Sequence, residues 1–255
     1  MSELKKKLWL WGQLPGGYAN AGYGLPVGNT MDPLEGLSYL GIENLCRVKL
    51  ASEENNSFLD DPWLGEPAQK LCLSLIGADE DVPKDDLDDI LTLAQKDTRV
   101  VSAVIDDFIS EKRMQVFTPD VLNNYANKLH HTLNRKLELW SVLYEKDIAI
   151  TPVDRARIFD VTTFWTWYGE NLLNYKQNFE KISDVIDGKR LMLGIYMYDF
   201  GNKRPLADDV MKQQLDFVGE KLSGGEIEGA IICSNVIADI GLSTVEITKN
   251  WIEML

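Results

Sequence analysis

The chain has 255 residues, 45% of them hydrophobic and 26% charged, the composition of a soluble globular protein long enough to bury a large core. Its formal net charge of −14 argues against a nucleic-acid or anionic-membrane partner, because phosphate binding is driven by clustered Lys and Arg. The one basic run, Lys5-Lys6-Lys7, precedes an apolar stretch that Gly12, Gln13 and Pro15 end too early for a signal peptide or a membrane span, so a cytoplasmic location is expected.

Eight short apolar runs recur along the chain, at 8–13, 44–50, 70–76, 100–108, 137–144, 161–167, 191–199 and 229–234. Most are followed by an amphipathic segment, the pattern of parallel strands joined by crossover helices. Asp32-Pro33 and Thr118-Pro119-Asp120 are helix starts, and Ser243 with Glu246 has capping-box spacing. The segment 84–96 is acidic at its start and basic at its end, which suits a helix dipole. The fifth unit is weak, with room between Tyr144 and Val161 only for a turn and a short helix. Eight evenly spaced units predict a single (β/α)8 barrel over 1–255, with an open doubly wound sheet as the rival fold. Cys46, Cys72 and Cys233 lie within apolar runs and read as buried free thiols.

Strand side chains alternate between the barrel interior and the helix layer. That parity sends Trp9, Trp11 and Gln13 inward from the first strand, and Ser102, Val104 and Asp106 inward from the fourth, with Asp107 at the rim. Glu138, Trp140 and Tyr144 face in from the fifth strand, and Tyr196 and Tyr198 from the seventh, with Asp199 at its end. Arg47 and Lys49 are expected to point inward, since charges are not expected beneath helices. The sixth strand is ambiguous between Trp165 with Trp167 and Phe164 with Thr166 and Tyr168.

Acids and aromatics therefore gather at the C-terminal strand ends. Asp106, Asp107, Glu145 and Asp199 are the candidate catalytic carboxyls. Trp11, Gln13, Arg47, Lys49, Tyr144, Trp165, Trp167, Glu170, Tyr196 and Tyr198 are the candidate substrate contacts. Sugars present C–H faces to rings and hydroxyls to carboxylates, and glycosidic cleavage uses two carboxyl groups flanking the scissile bond. A small carbohydrate is thus the expected partner. The bland readings stand beside this one. Asp199 precedes Phe-Gly-Asn and also reads as a turn residue, and a buried ion pair with Arg47 or Lys49 is the lesser reading of Asp106.

The fourth-strand ending VIDDF resembles the acidic motif of glycoside hydrolase-like (β/α)8 barrels, among them chitinase-like and α-galactosidase-like groups. YMYDF and FWTW resemble the aromatics that line substrate there. The resemblance implies a catalytic carboxyl after strand four. The chain departs from the chitinase-like pattern, having Ile109 where a Glu would stand two residues beyond the last Asp. It departs from the α-galactosidase-like pattern in lacking an Asp at the end of strand six, where Glu170 is the nearest acid.

His130 and His131, the only histidines, fall in a helix between strands four and five, which disfavours a histidine-ligated metal. No Gly-rich phosphate loop follows strand seven or eight, and no cofactor is expected. A divalent ion on Asp106, Glu145 and Asp199 stays open. Two other functions also remain: a Schiff-base lyase using Lys49, and a non-catalytic sugar-binding barrel. The Gly-rich stretch 14–30 is read as a loop over the mouth.

Overall fold

In a computed structural model, described for residues 2–18, 22–25, 28–53, 55–77 and 84–255, eight parallel strands close into a barrel. They are β1 (Leu8–Gly12), β2 (Asn44–Arg47), β3 (Lys70–Ile76), β4 (Val100–Ile105), β5 (Glu138–Tyr144), β6 (Val161–Trp165), β7 (Arg190–Tyr196) and β8 (Gly229–Cys233). β1 pairs with both β2 and β8, with Leu8 opposite Ala230 and Trp9 opposite Asn44, so the sheet has no open edge. This is the (β/α)8 barrel expected, and the doubly wound alternative falls with the closure.

Local chemistry explains the helix starts. Asp32 and Glu35 form a reciprocal capping box with Pro33 at the first turn of α1 (Pro33–Leu40), and Thr118 caps α4 (Pro119–His131). α2 (Leu87–Lys96) carries Asp88 and Asp89 at its start and Lys96 at its end. Ser110 caps a short α3 (Glu111–Val116), and α5 (Val153–Ala156) is the single turn that fits behind β5. The box expected at Ser243 is not made. Ser243 is already inside its helix (Ser243–Met254), and its hydroxyl donates to Asp208 instead.

Register fixes which side chains fill the barrel. Trp9 and Trp11 lie opposite Asn44 and Cys46, and Trp11 lies opposite Cys233. Tyr144 is opposite Trp165, and Tyr196 opposite Cys233. The interior is thus built on edge-to-face rings, with Trp9 against Trp140 at 4.9 Å and Trp11 against Trp165 at 5.4 Å. Gly194 makes room for this: a Cβ there would stand 2.0 Å from the Trp165 indole. All three cysteines are buried free thiols.

Two expectations about strands are corrected. Arg47 pairs with Gly12, on the opposite parity to Trp11, so Arg47 and Lys49 do not face the barrel interior. Among the described residues the connection from β2 to β3 carries only short 3-10 turns, and its acids, Glu53 and Asp61, bury the Arg47 guanidinium in an ion-pair cluster against Trp63. β7 also ends at Tyr196 rather than Asp199. Tyr198–Asp199 pairs antiparallel with Arg204–Pro205 in a small hairpin.

Candidate active site

At the C-terminal ends of the strands lies a cavity of about 670 Å³. β1 delivers Trp11 and Gln13 to it, β4 Asp106 and Asp107, β5 Tyr144, β6 Trp165 and Trp167, and β7 Tyr196. The ambiguity of β6 is resolved toward its two tryptophans. Tyr198 lies outside this group, and its hydroxyl donates to the Tyr23 carbonyl at 3.0 Å.

Asp106 is the acid built into the wall. It is 4% exposed, and its Oδ1 has no hydrogen-bond partner. Burial, reinforced by the charge of Asp107, pushes its pKa well above the ordinary carboxylate range, and Arg113 opposes the shift. The backbone around it is fixed. Asp106 N donates to the Ile76 carbonyl at 3.1 Å. The buried Arg113 guanidinium donates to the carbonyls of Asp106 at 2.6 Å and Gly77 at 2.7 Å, tying the end of β4 to the end of β3. Asp107 follows with a left-handed φ of 45°, which turns its side chain toward β5, where Oδ1 accepts the Tyr144 hydroxyl at 2.7 Å. Burial first and Asp107 second raise the pKa of Tyr144, which keeps its proton on that bond.

The remaining sequence candidates hold the rim together. Glu145 accepts from the amides of Trp167 at 2.7 Å and Tyr168 at 3.1 Å and from the Asn171 amide at 2.9 Å, which locks β5 to the end of β6. Asp199 accepts from Gly169 N at 3.0 Å, from Asn202 and from Arg204 Nε at 3.2 Å. Burial alone would raise its pKa, but these donors outweigh burial and lower it. Glu170 sits exposed on the Asn202 amide. Lys49 Nζ is bound to Asp86 at 2.7 Å and to the Asn56 carbonyl, and neither it nor Arg47 lines the cavity. The two cations expected as alternative partners of Asp106 are therefore engaged elsewhere. Among the described residues, no three His, Cys, Asp or Glu side chains converge to hold a metal ion, so Asp106, Glu145 and Asp199 do not form the divalent site left open above.

Several lining residues escaped sequence reasoning. Tyr18 and Tyr23 come from the Gly-rich loop after β1 and pack edge to face on Phe200, at 5.3 Å each. Their only signal was two tyrosines in a loop assigned to the mouth; of that loop, residues 19–21 and 26–27 lie outside the described residues. Lys146 and Asp147 follow β5, where strand parity no longer predicts direction. Arg113 is on a helix too short to show a periodicity.

No family model matches the sequence, and no curated protein matches it. Among solved structures the fold is similar to that of an endo-β-N-acetylglucosaminidase from Cordyceps militaris in its apo form, with a TM-score of 0.53 and 11% identity over 97% of this chain and 90% of that one. A mutant of that enzyme in complex with fucosyl-N-acetylglucosamine-Asn aligns with the same TM-score at 12% identity over the same shares. A GH113 β-1,4-mannanase aligns over the whole of both chains at 9% identity with a TM-score of 0.40. The likeness to the first two is one of fold, a closed (β/α)8 barrel.

Proposed function

We propose that the protein is a glycoside hydrolase in which Asp106 is the acid that protonates the glycosidic oxygen. The observation that carries this reading is a carboxyl buried in the cavity wall with one oxygen unpartnered and its pKa raised by burial and by Asp107. A general acid needs a pKa near the working pH and reach to the leaving group, and the surroundings of Asp106 move its pKa in that direction. Asp107, fixed by Tyr144, lies beside the acid and offers negative charge to the developing sugar cation. The rings of Trp11, Trp165, Trp167 and Tyr196 offer faces to the sugar. Glu145 and Asp199 brace the loops that carry these rings. Similarity of fold to an endo-β-N-acetylglucosaminidase supports the assignment to carbohydrate chemistry.

The test is turnover of a panel of aryl glycosides and β-linked oligosaccharides by the wild type and by Asp106→Asn. Cleavage that is lost in the variant while saccharide binding survives supports the reading. Equal turnover by a folded Asp106→Asn protein refutes it. Binding without turnover of any member by the wild type would instead favour a sugar-binding barrel.

A further inference from the structure

Among the described residues the carboxyl pair at the cavity wall has no salt-bridge partner, although the Arg113 charge is near enough to act on Asp106. Asp106 Oδ1 is buried without a partner, the hydrogen bond received by the Asp107 side chain is from a neutral phenol, and neither carboxyl forms an ion pair. The cavity's own cations are committed to other groups. Arg113 spans two main-chain carbonyls, and Lys146 bonds Asp147 at 3.0 Å. Around the pair stand rings. The phenols of Tyr23, Tyr144 and Tyr196 all feel the charges of Asp106 and Asp107, and Trp167 lies 5.6 to 5.9 Å from each of them. Ring faces attract cations, and one is already held on this wall, with Lys146 Nζ 5.1 Å from the centre of the Tyr144 ring.

We propose that the cavity takes an amino sugar with a free ammonium group, seated on Asp107 among Tyr23, Tyr144, Trp167 and Tyr196. This rests on the glycoside reading and names its substrate class. An ammonium has three donors and no acceptor, which matches a wall that presents carboxyl oxygens, the unpartnered Gln13 Oε1 and ring faces. It also answers a chemical difficulty: an ammonium beside the scissile carbon repels the developing sugar cation, and Asp107 placed against it removes that repulsion. Neutralising Asp107 takes away one cause of the proton affinity of Asp106, so the amine makes the neighbouring acid stronger when it binds. The other titratable groups lining the cavity are Asp147 with its partner Lys146, Arg113, the Tyr18 phenol, and the Cys233 thiol, which burial holds at about 12.

Isothermal titration decides it, with a β-1,4-linked glucosamine dimer, its di-N-acetyl form and cellobiose as probes at about pH 6, where the amine is charged. The amine is expected to bind about tenfold tighter than either neutral sugar. The advantage should shrink in high salt and narrow to about threefold in Asp107→Asn. If that variant does not fold, Trp167→Leu, which removes a ring face and no charge, must narrow the ratio in the same way. Cellobiose or the acetylated dimer binding as tightly as the amine overturns the proposal and leaves the glycoside reading standing. Failure of all three to bind overturns the amino-sugar proposal and leaves the glycoside reading to the turnover panel.

Discussion

Asp106 and Asp199 are both buried aspartates near C-terminal strand ends, and their surroundings give them opposite chemistry. Asp199 is saturated with donors, and its pKa falls; Asp106 has an unpartnered oxygen, and its pKa rises. Asp106→Asn keeps the shape of the side chain and removes the acid, so turnover should fall by about 10²–10⁴-fold in a protein that still folds. The same change has a signed effect on stability. A raised acid binds its proton more tightly in the folded state, so its contribution is present below the ordinary value of 3.8 and is lost as pH rises from there. Melting temperatures measured across pH should show Asp106→Asn gaining on the wild type as pH rises above that value. Asp199→Ala should behave in the opposite way, losing about 1–3 kcal/mol at neutral pH in a urea titration because Gly169 N, Asn202 and Arg204 lose their acceptor.

At the scale of elements, periodicity carried the strands and aliphatic parity carried most of the interior. Trp11, Tyr144 and Tyr196 face inward because their neighbours are the residues that suit the helix layer. The rule failed at β2, where it assumed a helix in the connection that follows. A connection without one lets Glu53 and Asp61 neutralise Arg47 outside the barrel, and no local pattern announces that. It failed again after Tyr196, where Asp199-Phe200-Gly201-Asn202 forms a turn whose chemistry overrides strand continuation. Positions beyond strand ends, among them Tyr18, Asp147 and Phe200, depend on loop paths that parity does not describe. The fit between elements is itself testable at Gly194. Its β7 position brings the backbone so close to the Trp165 indole that a methyl group has no space. Gly194→Ala should cost about 1–3 kcal/mol or more in urea unfolding, and a red shift of tryptophan emission should report the displaced ring on the cavity wall.

Over the whole molecule, two electrostatic terms set the pH at which the barrel is most stable. Asp97 is lowered by its hydrogen bonds to Arg99, Glu228 by Arg190, and Asp160 by donors that outweigh its burial; their contributions are present above the ordinary carboxylate value and are lost as pH falls through their depressed values. Asp61, Asp86 and Asp106 are raised by burial, and theirs are lost as pH climbs above 3.8. The lowered group therefore penalises strong acid and the raised group penalises neutral pH. A net charge of −14 adds self-repulsion that is complete once the carboxylates have ionised. The balance of the three places the optimum on the mildly acidic side, nearer pH 5 than pH 8. Salt separates them, because it screens the repulsion among exposed charges and leaves buried groups nearly untouched. Calorimetry in low and high NaCl should therefore show the melting temperature rising with salt at pH 8, and much less near pH 5. A profile still climbing from pH 5 to pH 8 at both ionic strengths would mean that the depressed carboxylates outweigh the buried acids, and the cavity acid would then contribute little to the energetics of the fold.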